Sequence, residues 1–242
     1  MNSHVETGSK AFRADELAVW IADVCGGRPK GVIFDCDGVI IDSAAANIHY
    51  YNLLRRELGL PLLTPEQERY VQMSTAQQAI EAIIPAPLMP ALREVTRRIC
   101  YRRDIVPMLR PSEGIHKLLE HCRALGIRMG VHTNRRDGMD DVITTCRFEG
   151  FFDPVVTVAR ALPKPDPDGA FQVLREWGLC AHETLFVGDS STDRDAARGA
   201  GIPFLPYRNP HLETPGFCAD FADLETALDL TGSSQTAPPN LA

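Results

Sequence analysis

No run of about 18 uncharged apolar residues occurs in the 242-residue chain, so the sequence contains no segment suited to crossing a membrane as a helix. A basic surplus is also missing. Lys and Arg number 25 against 32 Asp and Glu, a formal net charge of −7. A protein that tracks a nucleic-acid backbone carries the opposite balance. The expectation is therefore no nucleic-acid partner and no membrane partner. The opening MNSHVETGSKAFRADELAVW has no basic stretch followed by an apolar one, so no secretory signal is expected. Paired cysteines are missing as well: the seven residues at 25, 36, 100, 122, 146, 180 and 218 never form a C-x-x-C pair. An odd, scattered set reads as reduced, packed thiols, and the expected location is cytoplasmic. What remains, at 44% hydrophobic and 24% charged residues, is an ordinary globular composition. Its length suits one large domain, or one domain with a smaller insert.

Periodicity supplies the architecture. Leu17, Trp20, Ile21 and Val24 keep a helical spacing that Gly26 and Gly27 end. The short apolar run Gly31-Val32-Ile33-Phe34 follows, and four similar runs come much later, at 127–131, 155–158, 185–187 and 202–205. Helical stretches near 113–125, 137–147, 168–178 and 192–200 lie between them. Short apolar strands alternating with helices predict an α/β fold, a parallel five-stranded sheet with helices on both faces. The first and second strands are separated by about 90 residues, far beyond an ordinary crossover. Ile48, Tyr51, Leu54 and Leu58 mark one helix in that gap, and Leu88, Leu92, Val95 and Ile99 another. The predicted organisation is a discontinuous core of residues 1–42 and 110–230, a helical cap of 43–109, and a disordered tail of 231–242.

Four polar clusters follow four of the five predicted strands. The first is Asp35-Cys36-Asp37-Gly38, running on to Asp42-Ser43. A carboxylate at a strand end suits a nucleophile, and a second one nearby suits an acid and base. A solvated turn would carry the same pair, but this pair abuts a strand apolar enough to be buried. The second is His132-Thr133-Asn134-Arg135, whose hydroxyl and amide can donate to an anionic oxygen. In the third, Pro163-Lys164-Pro165-Asp166, flanking prolines stiffen the loop and hold the lysine in one direction. The fourth, Gly188-Asp189-Ser190-Ser191-Thr192-Asp193, adds hard oxygen ligands suited to Mg²⁺. This excess of carboxylates beside one lysine calls for a divalent cation. With Mg²⁺, Lys and Thr around an Asp nucleophile, the set suits phosphoryl transfer.

In this order, DCDGVIIDS, VHTNR, PKPDP and VGDSSTDRDAARGAG resemble the four motifs of the haloacid dehalogenase (HAD) superfamily over about residues 30–208. The resemblance is to the branch with a helical C1-type cap after the first motif, which holds phosphoglycolate phosphatases and β-phosphoglucomutases. It implies a HAD-like Rossmannoid core with strand order 5-4-1-2-3. It also implies a Mg²⁺-dependent phosphatase acting on a small-molecule phosphate monoester through an aspartyl-phosphate intermediate, phosphoglycolate phosphatase-like, as a monomer or homodimer. Carried over by position, Asp35 attacks phosphorus. Asp37 protonates the leaving oxygen and later activates water, and its backbone carbonyl binds the metal. Thr133 and Asn134 hold the phosphoryl oxygens, and Lys164 neutralises charge. Asp35, Asp189 and Asp193 complete the metal set, Ser43 falls at the cap hinge, and Gln72 and Thr75 lie in the segment where relatives choose substrates. The alternatives are a phosphosugar mutase or a non-catalytic phosphate-binding regulator. Asn47 stands where mutases carry a histidine, and Ala76 lies where their cap loop carries an arginine. Both departures weaken the mutase reading.

Three further features have plainer readings. Strand alternation turns His132 away from Thr133, toward packing. Arg93, Arg97, Arg98, Arg102 and Arg103 crowd the second cap helix and read as a solvated face more than an anion trap. Cys36 fills an apolar slot.

Overall fold

The computed structural model describes residues 9–74 and 76–233. The chain divides into two compact units. One comprises the residues up to Ile40, Pro111–Asp137 and those from Phe148 onward; the other comprises Ile41–Arg110 and Gly138–Arg147.

The first unit is built on five parallel strands, β1 (Gly31–Phe34), β2 (Arg128–His132), β3 (Val155–Val156), β4 (Thr184–Gly188) and β5 (Phe204–Pro206). Their spatial order is β5-β4-β1-β2-β3, the order that the family resemblance implies. The central strand β1 pairs on both sides, with Ile33 opposite Gly130 of β2 and Phe186 of β4. Ile33 and Phe186 share a buried cluster with Val156, Ala170, Val173, Trp177, Ala197 and Phe204, which brings the helices Asp168–Trp177 and Ser191–Gly199 onto one face. Val32, Phe34, Leu185 and Val187 alternate with those side chains and are fully buried too, so the sheet is covered on both faces. That double burial explains why these strands read as continuous apolar runs.

Strand β3 is shorter than its apolar run, because after Val156 the chain turns, Arg160 N–H donating to the Thr157 carbonyl. The N-terminal helix Ala14–Cys25 ends at Gly26 in the left-handed conformation and packs against the last helix, Phe221–Ser233. That last helix corrects the expected start of the tail at 231. Residues 231–233 are helical, and Thr231 is buried with its hydroxyl donating to the Leu228 carbonyl. Residues 234–242 of the expected tail lie outside the described residues. Among the described residues, no helix is long and apolar enough to cross a membrane.

The second unit is helical, and where the chain enters and leaves it Ile41–Asp42 pairs with Arg110–Pro111 in a two-stranded ribbon. Its core gathers Tyr51, Leu54, Leu63, Val71, Ala79, Ile83, Leu92 and Val95. The helices Ala44–Glu57 and Met89–Arg98 lie where periodicity marks them. Two more, Pro65–Met73 and Ala76–Ile83, lie between them. The first of these is too polar to show an apolar stripe; its signal is the capping box, Thr64 accepting from Gln67 N–H with Gln67 reaching back. The helix Met139–Thr145 falls between core strands in sequence but belongs to this unit. It buries Met139 and Val142, and its Asp141 pairs with Arg102 at 2.9 Å.

One packing detail of the core is set by missing side chains. The Trp177 ring, anchored by Nε1–H donating to the Asp153 carbonyl at 2.7 Å, lies against Gly31 of β1 and Gly130 of β2. A Cβ at Gly31 would stand 2.5 Å from Trp177 Cζ3, and one at Gly130 would stand 2.9 Å from Cζ2. A rigid, tethered ring cannot yield as a flexible chain end would. Gly31→Ala is therefore expected to lower stability by about 1–3 kcal/mol, measured by urea unfolding against the parent chain.

Candidate active site

The site is assembled where β1, β2 and β4 end side by side. At the point where chain connections diverge on either side of β1, an open α/β sheet leaves a crevice at its carboxyl edge. Asp35 follows β1 directly, and its N–H donates to the Val187 carbonyl, extending the β1–β4 ladder by one residue. Thr133 follows β2 and donates its N–H to the Val156 carbonyl. Asp189 follows β4.

Lys164 is the hub. Its ammonium donates to Asp35 Oδ1 and Asp193 Oδ1, each at 2.5 Å, and to the His132 carbonyl at 2.9 Å. The side chains of Lys164, Asp35 and Asp193 are 3%, 10% and 0% exposed, so the triad is almost dry. Burial pulls the ammonium's pKa down, but Asp35 and then Asp193 outweigh it and hold it above its ordinary value. Burial pushes the Asp35 carboxyl well up, against the pull of Lys164, and Asp193 and Asp189 add to the push.

Local sequence explains the placement. Ser190 caps the helix Ser191–Gly199, its hydroxyl oxygen accepting from Asp193 N–H at 3.3 Å while Asp193 Oδ2 accepts from Ser190 N–H at 3.0 Å. That capping box leaves Asp193 Oδ1 to face Lys164. The lysine loop is pinned by Asn134, whose Nδ2–H donates to the Lys164 carbonyl at 3.0 Å while its Oδ1 accepts from Lys164 N–H at 2.7 Å. The Asn134 amide thus holds the lysine loop with its oxygen and one N–H, a grip that does not use the second N–H which the sequence reading turns toward a phosphoryl oxygen. Gly38, at φ +78°, permits the close approach of Asp189: a Cβ there would stand 2.0 Å from Asp189 Oδ2.

Asp35, Asp189 and Asp193 each bring a carboxylate oxygen within 4.8 Å of the others. Burial, and then repulsion by Asp193, push the Asp189 carboxyl up to about 7. The trio therefore fits a divalent cation in donor type and in charge. Asp37 stands apart from it. Arg135 forks both its oxygens, Nε–H to Oδ2 and Nη2–H to Oδ1, at 2.7 Å each. The Asp37 side chain is outside the trio, and the metal role that the resemblance implies for this residue is one of its backbone carbonyl.

Arg135 lies within the second motif, and its pairing was not readable from motif order. His132 is packed as strand alternation predicts, its ring edge-on to Phe186 with centroids 6.0 Å apart, and burial lowers it to about 3. Cys36 is fully buried, and burial raises its thiol well above the ordinary value. Ser43 and Gln72 belong to the second unit, Ser43 as the buried residue preceding the helix Ala44–Glu57 and Gln72 as an exposed residue of Pro65–Met73. Thr75 lies outside the described residues.

Comparison with known proteins gives the family. A family model described as haloacid dehalogenase-like hydrolase matches residues 32–206. The chain belongs to that family. A phosphoglycolate phosphatase of Thiobacillus denitrificans is 26% identical over 191 residues, covering 74% of this chain and 83% of that protein. An N-acetylmuramic acid 6-phosphate phosphatase of Pseudomonas aeruginosa is 28% identical over 194 residues, covering 76% and 84%. Among solved structures, a HAD-superfamily hydrolase of subfamily IA, variant 1, from Geobacter sulfurreducens superposes with a TM-score of 0.73 at 33% identity, covering 84% of this chain and 98% of that one.

The raised Asp189 has a measurable sign. Between about pH 4 and pH 7 the folded chain keeps a proton on Asp189 that the unfolded chain has lost, so this group's contribution to stability falls as pH rises through that window. The unfolding midpoint of metal-free protein is expected to drop between about pH 4 and pH 7, by on the order of a few degrees. A divalent cation should restore it chiefly at the upper end. Asp189→Asn should flatten both responses in thermal scans.

Proposed function

We propose that this hydrolase is a Mg²⁺-dependent phosphatase of small phosphate monoesters that works through an aspartyl-phosphate on Asp35. The observation that carries the reading is the Lys164 ammonium shared between Asp35 and Asp193 inside a buried carboxylate trio. Such an arrangement fixes a carboxylate oxygen as a nucleophile while keeping it from being repelled by an anionic substrate. The two curated relatives are named for different phosphate compounds and are both named phosphatases. They support the class of reaction more than any single substrate.

Asp35, Asp189 and Asp193, with the Asp37 carbonyl, would hold the metal. The trio brings three carboxylates to one base, Lys164, an imbalance of two negative charges that a divalent cation matches. When bound, Mg²⁺ supplies positive charge against the phosphoryl oxygens.

The chain's own residues do the rest. An Asp35 oxygen forms a bond to phosphorus as the bond from phosphorus to the ester oxygen breaks, and Asp37 gives its proton to the departing alkoxide. Asp37, now ionised, takes a proton from water. The resulting hydroxide forms a new bond to phosphorus, and the bond from Asp35 to phosphorus breaks, returning the carboxylate and releasing inorganic phosphate. Lys164 compensates the charge that passes between Asp35 and the phosphoryl group, and Thr133 supplies a hydroxyl donor beside it. Asn134 contributes by keeping the lysine loop in place. Choice among esters is assigned to the helical insert, at Gln72 and Thr75, with Ser43 at its hinge, as the resemblance implies.

Rapid quenching with a ³²P-labelled monoester is expected to trap label on the parent protein in a form that hydroxylamine releases. Asp35→Asn should keep the fold by circular dichroism, lose at least about a thousandfold in kcat and carry no label. Chelation should abolish turnover and Mg²⁺ should restore it. Label retained on Asp35→Asn, or turnover surviving chelation, would overturn the nucleophile or the metal assignment respectively.

A further inference from the structure

We infer that Arg135 is a positioning residue for Asp37, holding the acid and base of the reaction by a two-point grip that can release one oxygen while keeping the other. The inference rests on the assignment of Asp37 as the proton donor and acceptor. Asp37 sits on the loop after β1, immediately before Gly38 at φ +78°, a stretch whose backbone has little intrinsic stiffness. Its side chain is 38% exposed, more than any other acid of the site for which a pairing is described, whereas the Arg135 side chain is only 11% exposed. The guanidinium is therefore the fixed member of the pair. Its backbone is held on both sides as well: Arg135 N–H donates to Thr133 Oγ1 at 3.2 Å, and the Arg135 carbonyl accepts from Val158 N–H at 3.3 Å.

The pairing geometry sets the function. Nε–H and Nη2–H each donate to a different oxygen of Asp37 at 2.7 Å, the parallel fork that fixes both the position and the plane of a carboxylate. In the fork both oxygens accept, and a proton carried for an ester oxygen turns one of them into a donor, which the N–H aimed at it opposes. For transfer, one N–H contact must yield while the other remains, so the carboxyl turns about an anchored point and is not lost to solvent. A lysine at this position has one charged centre and offers a poorer hold. Positioning of this kind costs rate when it fails, because a reacting group displaced by an ångström is largely out of play.

The test uses the parent enzyme, Arg135→Met, Arg135→Lys, Asp37→Asn and the double variant Arg135→Met with Asp37→Asn, all loaded with Mg²⁺. It compares kcat/KM on an alkyl phosphate that the parent hydrolyses with kcat/KM on p-nitrophenyl phosphate, whose leaving group needs no proton. Arg135→Met is expected to lower the alkyl value by roughly 10- to 100-fold and the nitrophenyl value by less than about threefold. Arg135→Lys should recover part of the alkyl loss. In the double variant, Arg135→Met should add less than about twofold to the loss of Asp37→Asn, because both changes remove one function. Should Arg135→Met fold poorly, Arg135→Lys carries the same comparison with a smaller loss of the same selectivity. Equal losses on the two esters, or full additivity in the double variant, would overturn the inference and leave Arg135 a structural residue. If Asp37→Asn itself lost equally on both esters, the proton-donor assignment would fall, and this inference with it; that result is recognised from the single Asp37 variant alone.

Discussion

A single buried ammonium constrains most of the first unit. Lys164 must reach Asp35 at the end of β1 and Asp193 in the first turn of a helix, and both contacts are made out of water. Charges taken out of water gain stability from pairing only when geometry is good, and lose heavily when one partner is missing. The surrounding structure can be read as the means of meeting that condition. Prolines on both sides limit the lysine loop, and the Asn134 amide closes on its backbone from two directions. The Ser190 cap turns one Asp193 oxygen inward. The His132 carbonyl takes a third contact from the ammonium.

The same arrangement is poor as a device for stability and good as a device for chemistry. Two carboxylates lean on one lysine and a third lies beside them, so burial and mutual repulsion drive Asp35 and Asp189 upward. A protein under no functional demand would replace such a set with apolar side chains at little cost. In the proposed function, that unbalanced negative charge is what a divalent cation, and through it a phosphoryl group, would meet. A bound cation would relieve the repulsion that burial imposes on these carboxyls.

The sheet explains why these residues meet. Strand β1 is central, with β2 on one side and β4 on the other, and connections leave its two flanks in opposite directions. Loops that follow three adjacent parallel strands converge at one edge, whatever their separation in sequence. Close packing beneath that edge depends on small residues as much as large ones. Gly31 and Gly130 admit the Trp177 ring, and Gly38 admits Asp189.

Much of this was legible in the sequence, because local pattern encodes local facing. Apolar runs marked all five strands of a sheet buried on both sides, alternation turned His132 into the packing, and polar clusters at strand ends marked Asp35, Thr133, Lys164, Asp189 and Asp193. Element ends and polar helices were less legible. Pro65–Met73 lacks an apolar stripe, and the last helix went unmarked although Phe221, Leu224 and Leu228 keep its spacing. What only the tertiary structure decided is which donor meets which acceptor. Arg135 and Asp37 are 98 positions apart, and Asn134 meets the Lys164 backbone 30 positions away. Periodicity says that a side chain leaves a strand end. Whether it forks a carboxylate or grips a loop depends on the neighbouring strand that the topology places beside it, and that information is carried by the fold as a whole.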